Sequence, residues 1–332
     1  MDKILVTGAD GFIGSHLVEK LVKIGYGVKA FVMYNSFNSW GWLDNIDAKI
    51  KKSIEVVSGD IRDPFFVDSV IQDCDAVIHL AALIAIPFSY QSPSSYINTN
   101  INGTLNVLQA AKNNRIKKVI HTSTSEVYGS AQYVPIDENH PISGQSPYAA
   151  TKIAADQIAL SFYKSFETPV SIIRPFNTYG PRQSNRAIIP TVITQILNGK
   201  KEVNVGNISP TRDFSYIDDT VDGFIATLQT SKIVGEIINL GAGFEISIKE
   251  TIDIIIKIIG KEVKIIHENK RIRAEKSEVN RLFSNNTLAK NILNWEPIYG
   301  DKKGFTKGLE KTINWFSDSN NSSKYKHDIY NI

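Results

Sequence analysis

The 332-residue sequence is poor in the residues that form disulfides and metal sites. It has a single cysteine, Cys74, which excludes an internal disulfide and is typical of a reducing compartment. Its six histidines are scattered without an HxH or HExxH pairing, so we predict no metal site. No apolar run reaches the ~18–20 residues needed to cross a bilayer, and we expect no cleavable leader. These absences predict a cytoplasmic protein with no membrane partner.

Neither positive nor negative charge predominates in the sequence. The formal net charge of +3 at pH 7 is too small to indicate nucleic-acid binding. Apolar residues make up 42% of the chain and charged residues 21%, as in an ordinary globular protein. A chain of this length can form a large core in one or two lobes.

The first residues have the pattern of a dinucleotide-binding unit. A β-branched apolar run, Lys3 to Thr7, precedes Gly8, Gly11 and Gly14, and a helical pattern follows. In such a unit the glycines permit a tight turn, the approach of a pyrophosphate and the packing of helix on strand. The helix N-terminus stabilises the anion. The βαβα alternation that follows predicts a parallel, doubly wound sheet with ligands at the carboxyl ends of its strands.

A tyrosine and a lysine follow a Ser/Thr-rich segment. Tyr148 and Lys152 are four residues apart, which places both side chains on one face of a helix. Tyrosine is a poor base at neutral pH because its reference pKa is ~10. An ammonium ~4 Å away would stabilise the phenolate by up to ~4 kcal/mol at an effective dielectric of ~20. We therefore expect Lys152 to lower the pKa of Tyr148 into the range of a general base.

Together these motifs resemble the extended short-chain dehydrogenase/reductases that act on nucleotide sugars. The likeness runs from Lys3 to about Trp295. Further shared landmarks are Asp60, the segment His79 to Ala82, Asn98 to Thr104, and Arg174 to Pro181. The resemblance implies a Rossmann-type domain at residues 1–175, which also receives later segments near 212–240. Residues 176–316 would mainly form a smaller C-terminal α/β lobe that binds the sugar nucleotide.

The resemblance also implies NAD as cofactor, with NADP not excluded. The implied cofactor residues lie in the glycine loop, in two later loops and in the Tyr–Lys pair: Gly8, Gly11, Phe12, Ile13, Gly14, Asp60, Ile61, Leu80, Ala81, Ala82, Tyr148 and Lys152. Folds that prefer NAD usually have an acid at the end of the second strand, where it binds the ribose 2′-OH. This chain has neither an acid nor an arginine there, so we expect Asn35 or Ser36 to take that role.

The Thr124-Ser125-Glu126 triplet resembles that of the nucleotide-sugar 4,6-dehydratases. Oxidation at C4 acidifies the C5 proton, a carboxylate removes that proton, and the C6 hydroxyl leaves as water. The resemblance implies that Thr124 orients the reacting hydroxyl and that Tyr148 is its base. Glu126 would then remove the C5 proton, unless it only caps a turn. Ser125 stands where one branch has Asp, so either Glu126 or a water held by Ser125 would protonate the leaving hydroxyl.

Four stretches are similar to the GDP-N-acetylglucosamine 4,6-dehydratases of legionaminic acid synthesis. They are Tyr34 to Asn38, Ala82 to Pro87, His121 to Gly129 and Pro175 to Ser184. The implied substrate is therefore a nucleotide sugar, GDP-N-acetylglucosamine. Arginine matches phosphate bidentately, and the candidates for the diphosphate and its ribose are Asn177, Arg186, Arg212 and Arg273.

Three alternative functions remain open. A nucleotide-sugar decarboxylase of the UDP-glucuronate type also carries Thr-Ser-Glu and needs a cation for the C6 carboxylate. A C4 epimerase has no use for a carboxylate at Glu126. A non-catalytic protein that senses NAD is disfavoured, because such proteins tend to lose the Tyr or the Lys.

Several elements can be predicted beyond the first domain. The spacing predicts a long helix from Ser94 to Asn114 and another from Tyr148 to about Ser165, and the resemblance implies a homodimer through helices 94–114 and 148–165. The segment Arg212 to Asp219 is expected to return to the main sheet. Residues 317–332 are polar and are expected to be disordered or loosely attached.

Overall fold

The computed structural model describes residues 2–326, 329 and 330. The strands are β1 (Lys3–Thr7), β2 (Gly27–Met33), β3 (Ile54–Gly59), β4 (Ala76–His79), β5 (Lys118–Thr122), β6 (Val170–Pro175), β7 (Asn177–Tyr179), β8 (Glu202–Val205), β9 (Thr211–Tyr216), β10 (Ile237–Leu240), β11 (Glu245–Ser247) and β12 (Lys264–His267).

The α-helices alternate with these strands. They are α1 (Phe12–Lys23), α2 (Ala48–Ser53), α3 (Pro64–Ile71), α4 (Ile86–Gln91), α5 (Pro93–Tyr96), α6 (Gly103–Asn113), α7 (Pro147–Phe166), α8 (Ile188–Leu197), α9 (Ile217–Gln229), α10 (Ile248–Ile259), α11 (Thr287–Leu293), α12 (Lys302–Ser317) and α13 (Ser319–Ser322). Short 3-10 helices span Gly41–Asn45, Ser125–Tyr128, Asn269–Arg271 and Glu275–Ser277.

Seven strands form one parallel sheet in the order β10-β6-β5-β4-β1-β2-β3. Strands β4 and β6 are buried along their whole length, as expected where helices cover both faces of a parallel sheet. The chain direction across the sheet reverses between β1 and β4, and ligands bind at such a reversal, beyond the carboxyl ends of the strands. The predicted Rossmann-type, doubly wound sheet is confirmed.

Two small sheets accompany the main one. One has the order β11-β9-β7 and the other pairs β12 with β8. The segment Arg212 to Asp219 was expected to return to the main sheet, and this is where the structure differs. Strand β9 pairs with β7 on one side and with β11 on the other, so β10 makes the return instead.

The two parts of the chain share one hydrophobic core. Val6 and Ile78 of the main sheet belong to the same buried cluster as Phe214 of β9 and Phe305 of α12. Apolar contact of this kind leaves the parts little freedom to separate. The division into domains at residues 175 and 176 stays a prediction.

The long helix expected from Ser94 to Asn114 is interrupted. A π-helical stretch, Ile97–Asn102, joins α5 to α6. In this stretch the Asn100 side chain accepts a hydrogen bond from the Leu83 amide at 2.8 Å and donates to the Thr151 hydroxyl at 3.1 Å. The π turn therefore ties the loop after β4 to α7, a use of π turns that is common near functional sites. The helix predicted from Tyr148 is found at Pro147–Phe166.

The C-terminal segment also differs from the expectation of loose attachment. It continues from α12 into α13, and the Tyr325 ring then lies 5.8 Å from Trp42 and 5.0 Å from Phe316, measured between ring centroids. One aromatic side chain in a polar segment supplies the contact that composition does not reveal. The expectation for residues 327, 328, 331 and 332 lies outside the described residues. In the part of the chain that the structure describes, no helix has the length and apolar character needed to cross a bilayer.

Candidate active site

The carboxyl ends of the main-sheet strands border one cleft of about 1490 Å³. Ordinary ligand pockets have volumes of ~300–1,000 Å³, so this cleft can hold two ligands side by side. One wall consists of residues at or just beyond those strand ends: Gly8, Met33, Gly59, Leu80, Thr122 and Pro175. The opposite wall comes from the C-terminal half and includes Asn207, Arg212 and Arg273.

The glycine loop has the geometry of a phosphate cradle. Gly8 has φ +65°, and a Cβ there would lie 2.9 Å from the Ala81 backbone. A Cβ on Gly14 would lie 2.2 Å from the Gly8 carbonyl oxygen. Helix α1 begins after Gly11 without a side chain that caps it and without an acid in its first turn. Its free N–H groups and positive dipole end therefore suit a pyrophosphate. Phe12 and Ile13 lie in the same wall.

An acid does lie at the end of the second strand, but the glycine loop contributes it. The Asp10 carboxylate accepts a hydrogen bond from the Met33 amide, and burial raises its pKa. Asn35 and Ser36, the residues expected here, are not part of the cleft wall. The Asn35 amide donates to the Ser39 carbonyl at 2.8 Å, so it stabilises its own turn. Sequence spacing missed Asp10 because the residue lies far from the strand along the chain.

The loop after β3 brings a charged pair to the cleft wall. Asp60 and Ile61 lie in the wall, as does Arg62. The Arg62 Nε donates to the Asp60 Oδ1 at 2.9 Å, and this hydrogen bond lowers the pKa of Asp60. Arg62 supplies a guanidinium that sequence analysis did not consider when it weighed NAD against NADP.

The loop after β4 passes close under the glycine turn. Leu80, Ala81 and Ala82 lie in the cleft wall. The Thr7 hydroxyl accepts hydrogen bonds from the amides of Leu80 and Ala81, both at 3.1 Å. These bonds fix the loop against β1, and the small side chains leave room for a ligand ring.

Helix α7 positions Tyr148 and Lys152. The Ser146 hydroxyl caps the helix by accepting the Ala149 amide at 3.1 Å. Tyr148 is 7% exposed and Lys152 is 4% exposed, and the Lys152 Nζ donates to the Thr122 carbonyl at 2.6 Å. Burial lowers the pKa of Lys152 to about 8, and nearby Asp156 opposes this effect.

The pKa of Tyr148 differs from the expectation. In the absence of cofactor it is raised, because burial disfavours the phenolate and the carboxylate of Glu126 adds to the effect. A hydrogen bond with the Thr124 hydroxyl lowers it, but less than burial raises it. The Lys152 ammonium, which donates to the Thr122 carbonyl, does not outweigh burial. A further positive charge bound in the cleft would lower the pKa of Tyr148.

The Thr-Ser-Glu triplet follows β5 and starts a 3-10 helix. The Thr124 hydroxyl caps this helix by accepting the Glu126 amide at 3.2 Å. Thr124 and Glu126 lie in the cleft wall beside Tyr148. Ser125 is 2% exposed and is not part of that wall. The structure thus brings two members of the triplet to the cleft and leaves the third behind them.

The four candidate substrate residues, Asn177, Arg186, Arg212 and Arg273, all lie in the cleft wall. The Arg212 Nη2 donates to the Glu278 Oε1 at 3.4 Å, and the Arg273 Nη1 lies 3.9 Å from the same oxygen. Burial and the charge of Arg273 lower the pKa of Arg212, whereas the charge of Glu126 raises it. Since one carboxylate serves both guanidiniums, the pair retains donors for an anionic ligand. Glu278 was missed by sequence analysis, although it lies in the same arginine-rich segment as Arg273.

Among the described residues, no group of three or more His, Cys, Asp and Glu is arranged to hold a metal ion. The site therefore has three parts. The dinucleotide half lies at the glycine loop, the cationic half lies at Arg212 and Arg273, and the cluster of Tyr148, Lys152, Thr124 and Glu126 is the third part. The glycine cradle and the uncapped helix fit a dinucleotide on this geometry alone.

Comparison with known proteins identifies the family. The sequence profile of the family described as GDP-mannose 4,6 dehydratase matches residues 5–311. The chain belongs to this family. It is an enzyme family of nucleotide-sugar dehydratases and epimerases, as its relatives show. A putative UDP-glucose 4-epimerase of Methanocaldococcus jannaschii is 32% identical over 322 residues, which cover 96% of this chain and 99% of that protein.

Two crystal structures of family relatives resemble the chain closely. The UDP-glucuronic acid 4-epimerase of Bacillus cereus, in complex with UDP-glucuronic acid and NAD, has a TM-score of 0.84 and 31% identity, covering 94% of this chain and 98% of its own. The dTDP-glucose 4,6-dehydratase of Bacillus anthracis, in complex with NAD, has a TM-score of 0.82 and 29% identity, covering 98% and 99%. NAD, the cofactor expected from the sequence, is the one that both neighbours hold.

Alanine substitutions in the glycine loop separate folding from cofactor binding. Gly14→Ala places a methyl group 2.2 Å from the Gly8 carbonyl, so the turn must open. We expect its melting temperature to fall by several degrees and its NAD affinity to fall with it. Gly11→Ala meets only the Gly8 carbonyl at 3.3 Å. This variant should melt near the wild type and bind NAD at least about tenfold more weakly, because the methyl group obstructs the pyrophosphate.

Thermal unfolding without cofactor and calorimetry with NAD measure the two effects. Wild-type melting of Gly14→Ala, with unchanged NAD affinity, would contradict the close packing of the loop on α1.

Proposed function

We propose that the protein is an NAD-dependent 4,6-dehydratase of a nucleotide-activated hexose. The observation that carries the proposal is the placement of Glu126. Its carboxylate lies in the cleft wall close enough to Tyr148 and to Arg212 to shift the pKa of both. An oxidation at C4 needs Tyr148 but no carboxylate, whereas removal of the adjacent C5 proton needs one.

The positions of the residues support the following roles. The Tyr148 phenolate takes the proton of the C4 hydroxyl, which the Thr124 hydroxyl orients through a shared hydrogen bond. The Lys152 ammonium, held by the Thr122 carbonyl, stabilises the phenolate. NAD held in the dinucleotide half of the cleft would supply the hydride acceptor for C4 and the hydride donor for C6. Its positive charge would also lower the pKa of Tyr148, which burial raises.

Glu126 carries out the elimination. Its carboxylate removes the proton from C5, which the new C4 ketone has acidified, and the bond between C6 and its oxygen breaks. The same group then donates its proton to the leaving hydroxyl, which departs as water. Ser125 is buried outside the cleft wall, which supports Glu126 as the acid. After hydride addition at C6 and protonation at C5, the product is the 4-keto-6-deoxy sugar, and the net loss is one water.

GDP-N-acetylglucosamine is the proposed substrate. The sequence stretches shared with enzymes of legionaminic acid synthesis support it. The Arg273 Nη1, which has no hydrogen-bond partner among the described residues, and the neighbouring Arg212 guanidinium suit its diphosphate. The buried Asn177 Oδ1 has no hydrogen-bond partner among the described residues, so it can accept one from a sugar hydroxyl.

Two other reactions deserve comparison. A C4 epimerase is favoured by the similarity of the chain to two proteins described as 4-epimerases, one from Methanocaldococcus jannaschii and one from Bacillus cereus. A decarboxylase is favoured by Arg212, whose guanidinium is near enough to Glu126 for that carboxylate to raise its pKa. This guanidinium could bind a C6 carboxylate. Both reactions share the oxidation at C4, so they are distinguished by what happens at C5 and C6.

Substrate turnover with a Glu126→Gln variant tests the proposal. The wild type should remove one water from GDP-N-acetylglucosamine, and mass spectrometry of the product measures it. Glu126→Gln should retain the C4 oxidation but lose elimination by about a hundredfold or more, because the amide is no base. Reduced nicotinamide should then accumulate on the variant and be visible by absorbance.

UDP-N-acetylglucosamine and UDP-glucuronate serve as parallel substrates. Loss of water from UDP-N-acetylglucosamine alone would support the dehydratase assignment but contradict GDP as the nucleotide of the substrate. Loss of carbon dioxide from UDP-glucuronate would replace the dehydratase by a decarboxylase. A Glu126→Gln variant that still turns over at the wild-type rate would contradict the role of Glu126.

The pH dependence should report Lys152. Its pKa is lowered to about 8, so the ammonium is present below that pH and is lost as the pH rises through it. We expect kcat/KM of the free enzyme to fall above pH of about 8. Lys152→Arg keeps the positive charge at all working pH values, so the residual kcat/KM of this variant should begin to fall only at higher pH. If kcat/KM of Lys152→Arg falls at the same pH as in the wild type, the decrease belongs to another group.

We also propose a homodimer through the π turn with α6 and through α7. These elements expose the apolar side chains of Ile97, Leu105 and Phe166, which a partner subunit would cover. Light scattering should find twice the 37.0 kDa chain mass, and Leu105→Glu should shift the protein toward monomer. Ile298→Glu, at an exposed position of another face, is the matched control. A monomeric wild type would contradict the proposal.

A further inference from the structure

Described residues of the segment after α12 belong to the cleft wall. Lys324, Tyr325 and Tyr330 line the cleft together with the glycine loop. At one end the Tyr325 ring packs against Trp42, Trp315 and Phe316, with centroid distances of 5.8, 6.2 and 5.0 Å in that order.

At the other end of the segment, the Arg271 guanidinium lies 4.4 Å from the centre of the Tyr330 ring. The described part of the segment thus contacts both the dinucleotide half and the cationic half. We call the described residues 318–326, 329 and 330 the C-terminal strap.

The aromatic end of the strap rests on the phosphate cradle. The Trp42 amide donates to the Asp10 carbonyl at 3.0 Å. Gly41 has φ +57°, and a Cβ there would lie 2.6 Å from the same carbonyl. The glycine loop, Trp42 and Tyr325 are therefore in continuous contact, so the strap lies next to the place where a pyrophosphate binds.

Two cationic side chains, those of Arg182 and Lys324, lie near the phosphate cradle. The Arg182 Nη1 donates to the Glu19 Oε2 at 2.7 Å and to the Ser15 hydroxyl at 3.3 Å, near the uncapped start of α1. The Lys324 Nζ lies 5.2 Å from the centre of the Trp42 ring. Burial and the charge of Arg182 lower the pKa of Lys324, and Asp44 opposes them.

Two cations in mutual repulsion are stabilised by an anion between them. The buried Tyr325 hydroxyl, moreover, has no hydrogen-bond partner among the described residues. A buried donor of this kind is costly unless a ligand or water satisfies it. The cations point to an anion beneath the strap and the hydroxyl to a hydrogen-bonding group, and a phosphate oxygen is both.

We propose that the C-terminal strap closes the dinucleotide half of the cleft, with Lys324 and the Tyr325 hydroxyl as contacts to the NAD pyrophosphate. Lys324 acts with Arg182 and the N-terminus of α1 on the same two phosphates. The aromatic cluster holds the strap in place and so slows the release of NAD. This role concerns cofactor retention and holds whichever sugar reaction the enzyme performs.

Calorimetry on the full-length protein, stripped of cofactor, tests the contact with NAD, ADP and adenosine as probes. Lys324→Met should weaken NAD and ADP by about tenfold, the value of one charge-assisted contact. It should leave adenosine binding unchanged, because adenosine has no phosphate. Lys303→Met, at an exposed lysine of α12, is the matched control and should bind all three like the wild type.

The strap itself is tested by the release rate of NAD, measured by exchange with labelled NAD. Tyr325→Ala removes the ring from the cluster and should speed release by at least about tenfold, while Tyr325→Phe keeps the ring and should weaken binding without comparable acceleration. Wild-type affinity and release in Lys324→Met and Tyr325→Ala would overturn the proposal. Equal losses for NAD and adenosine in Lys324→Met would overturn the pyrophosphate contact.

Discussion

Helix α7, which carries Tyr148 and Lys152, is held in place by one buried carboxylate. Asp156 lies on α7 one turn beyond Lys152 and is fully buried. It accepts hydrogen bonds from the Ser123 hydroxyl at 2.8 Å and from the Arg174 guanidinium at 3.0 and 3.2 Å, and the His121 Nε2 lies 3.3 Å away. A buried charge is tolerated only when its partners compensate it. Because those partners come from β5, from the loop after it and from β6, the charge fixes α7 against the strand ends.

The position of the site follows from that attachment. Ser123 immediately precedes Thr124, so the bond to Asp156 places the Thr-Ser-Glu segment beside Tyr148. Arg174 also donates to the Tyr128 hydroxyl, which in turn donates to Asn239 of β10. The polar network thus extends from α7 across the sheet. Burial excludes water from Tyr148 and Lys152 and makes each charge in the cleft stronger. The same burial raises the pKa of Tyr148, because it disfavours the phenolate.

Local patterns predicted much of the fold. The glycine spacing and the Tyr148–Lys152 spacing depend on neighbours in sequence, and the helix predicted from Tyr148 was found at Pro147–Phe166. The cleft gathers most of the residues singled out for it, including Thr124 and Glu126.

The features that escaped prediction depend on contacts between distant segments. Asp10 acts at the end of β2 only because the glycine loop folds back there. Strand β9 has two partners outside the main sheet, and no periodicity shows which sheet a strand will join. The attachment of the polar C-terminal segment rests on Tyr325 reaching Trp42, more than 280 positions earlier in the chain. Ser125 shares a triplet with Thr124 and Glu126, but the 3-10 turn buries it away from the cleft.

The central claim is that Glu126 converts an oxidation at C4 into an elimination, and the path of one hydrogen tests it most directly. The substrate would be GDP-N-acetylglucosamine with deuterium at C4, and the measurement is magnetic resonance of the product. A dehydratase transfers that deuterium to C6 and takes its C5 hydrogen from solvent, and this is the result we predict. Deuterium that remains at C4 of an epimerised sugar, with C6 unchanged, would contradict the account and make the enzyme an epimerase.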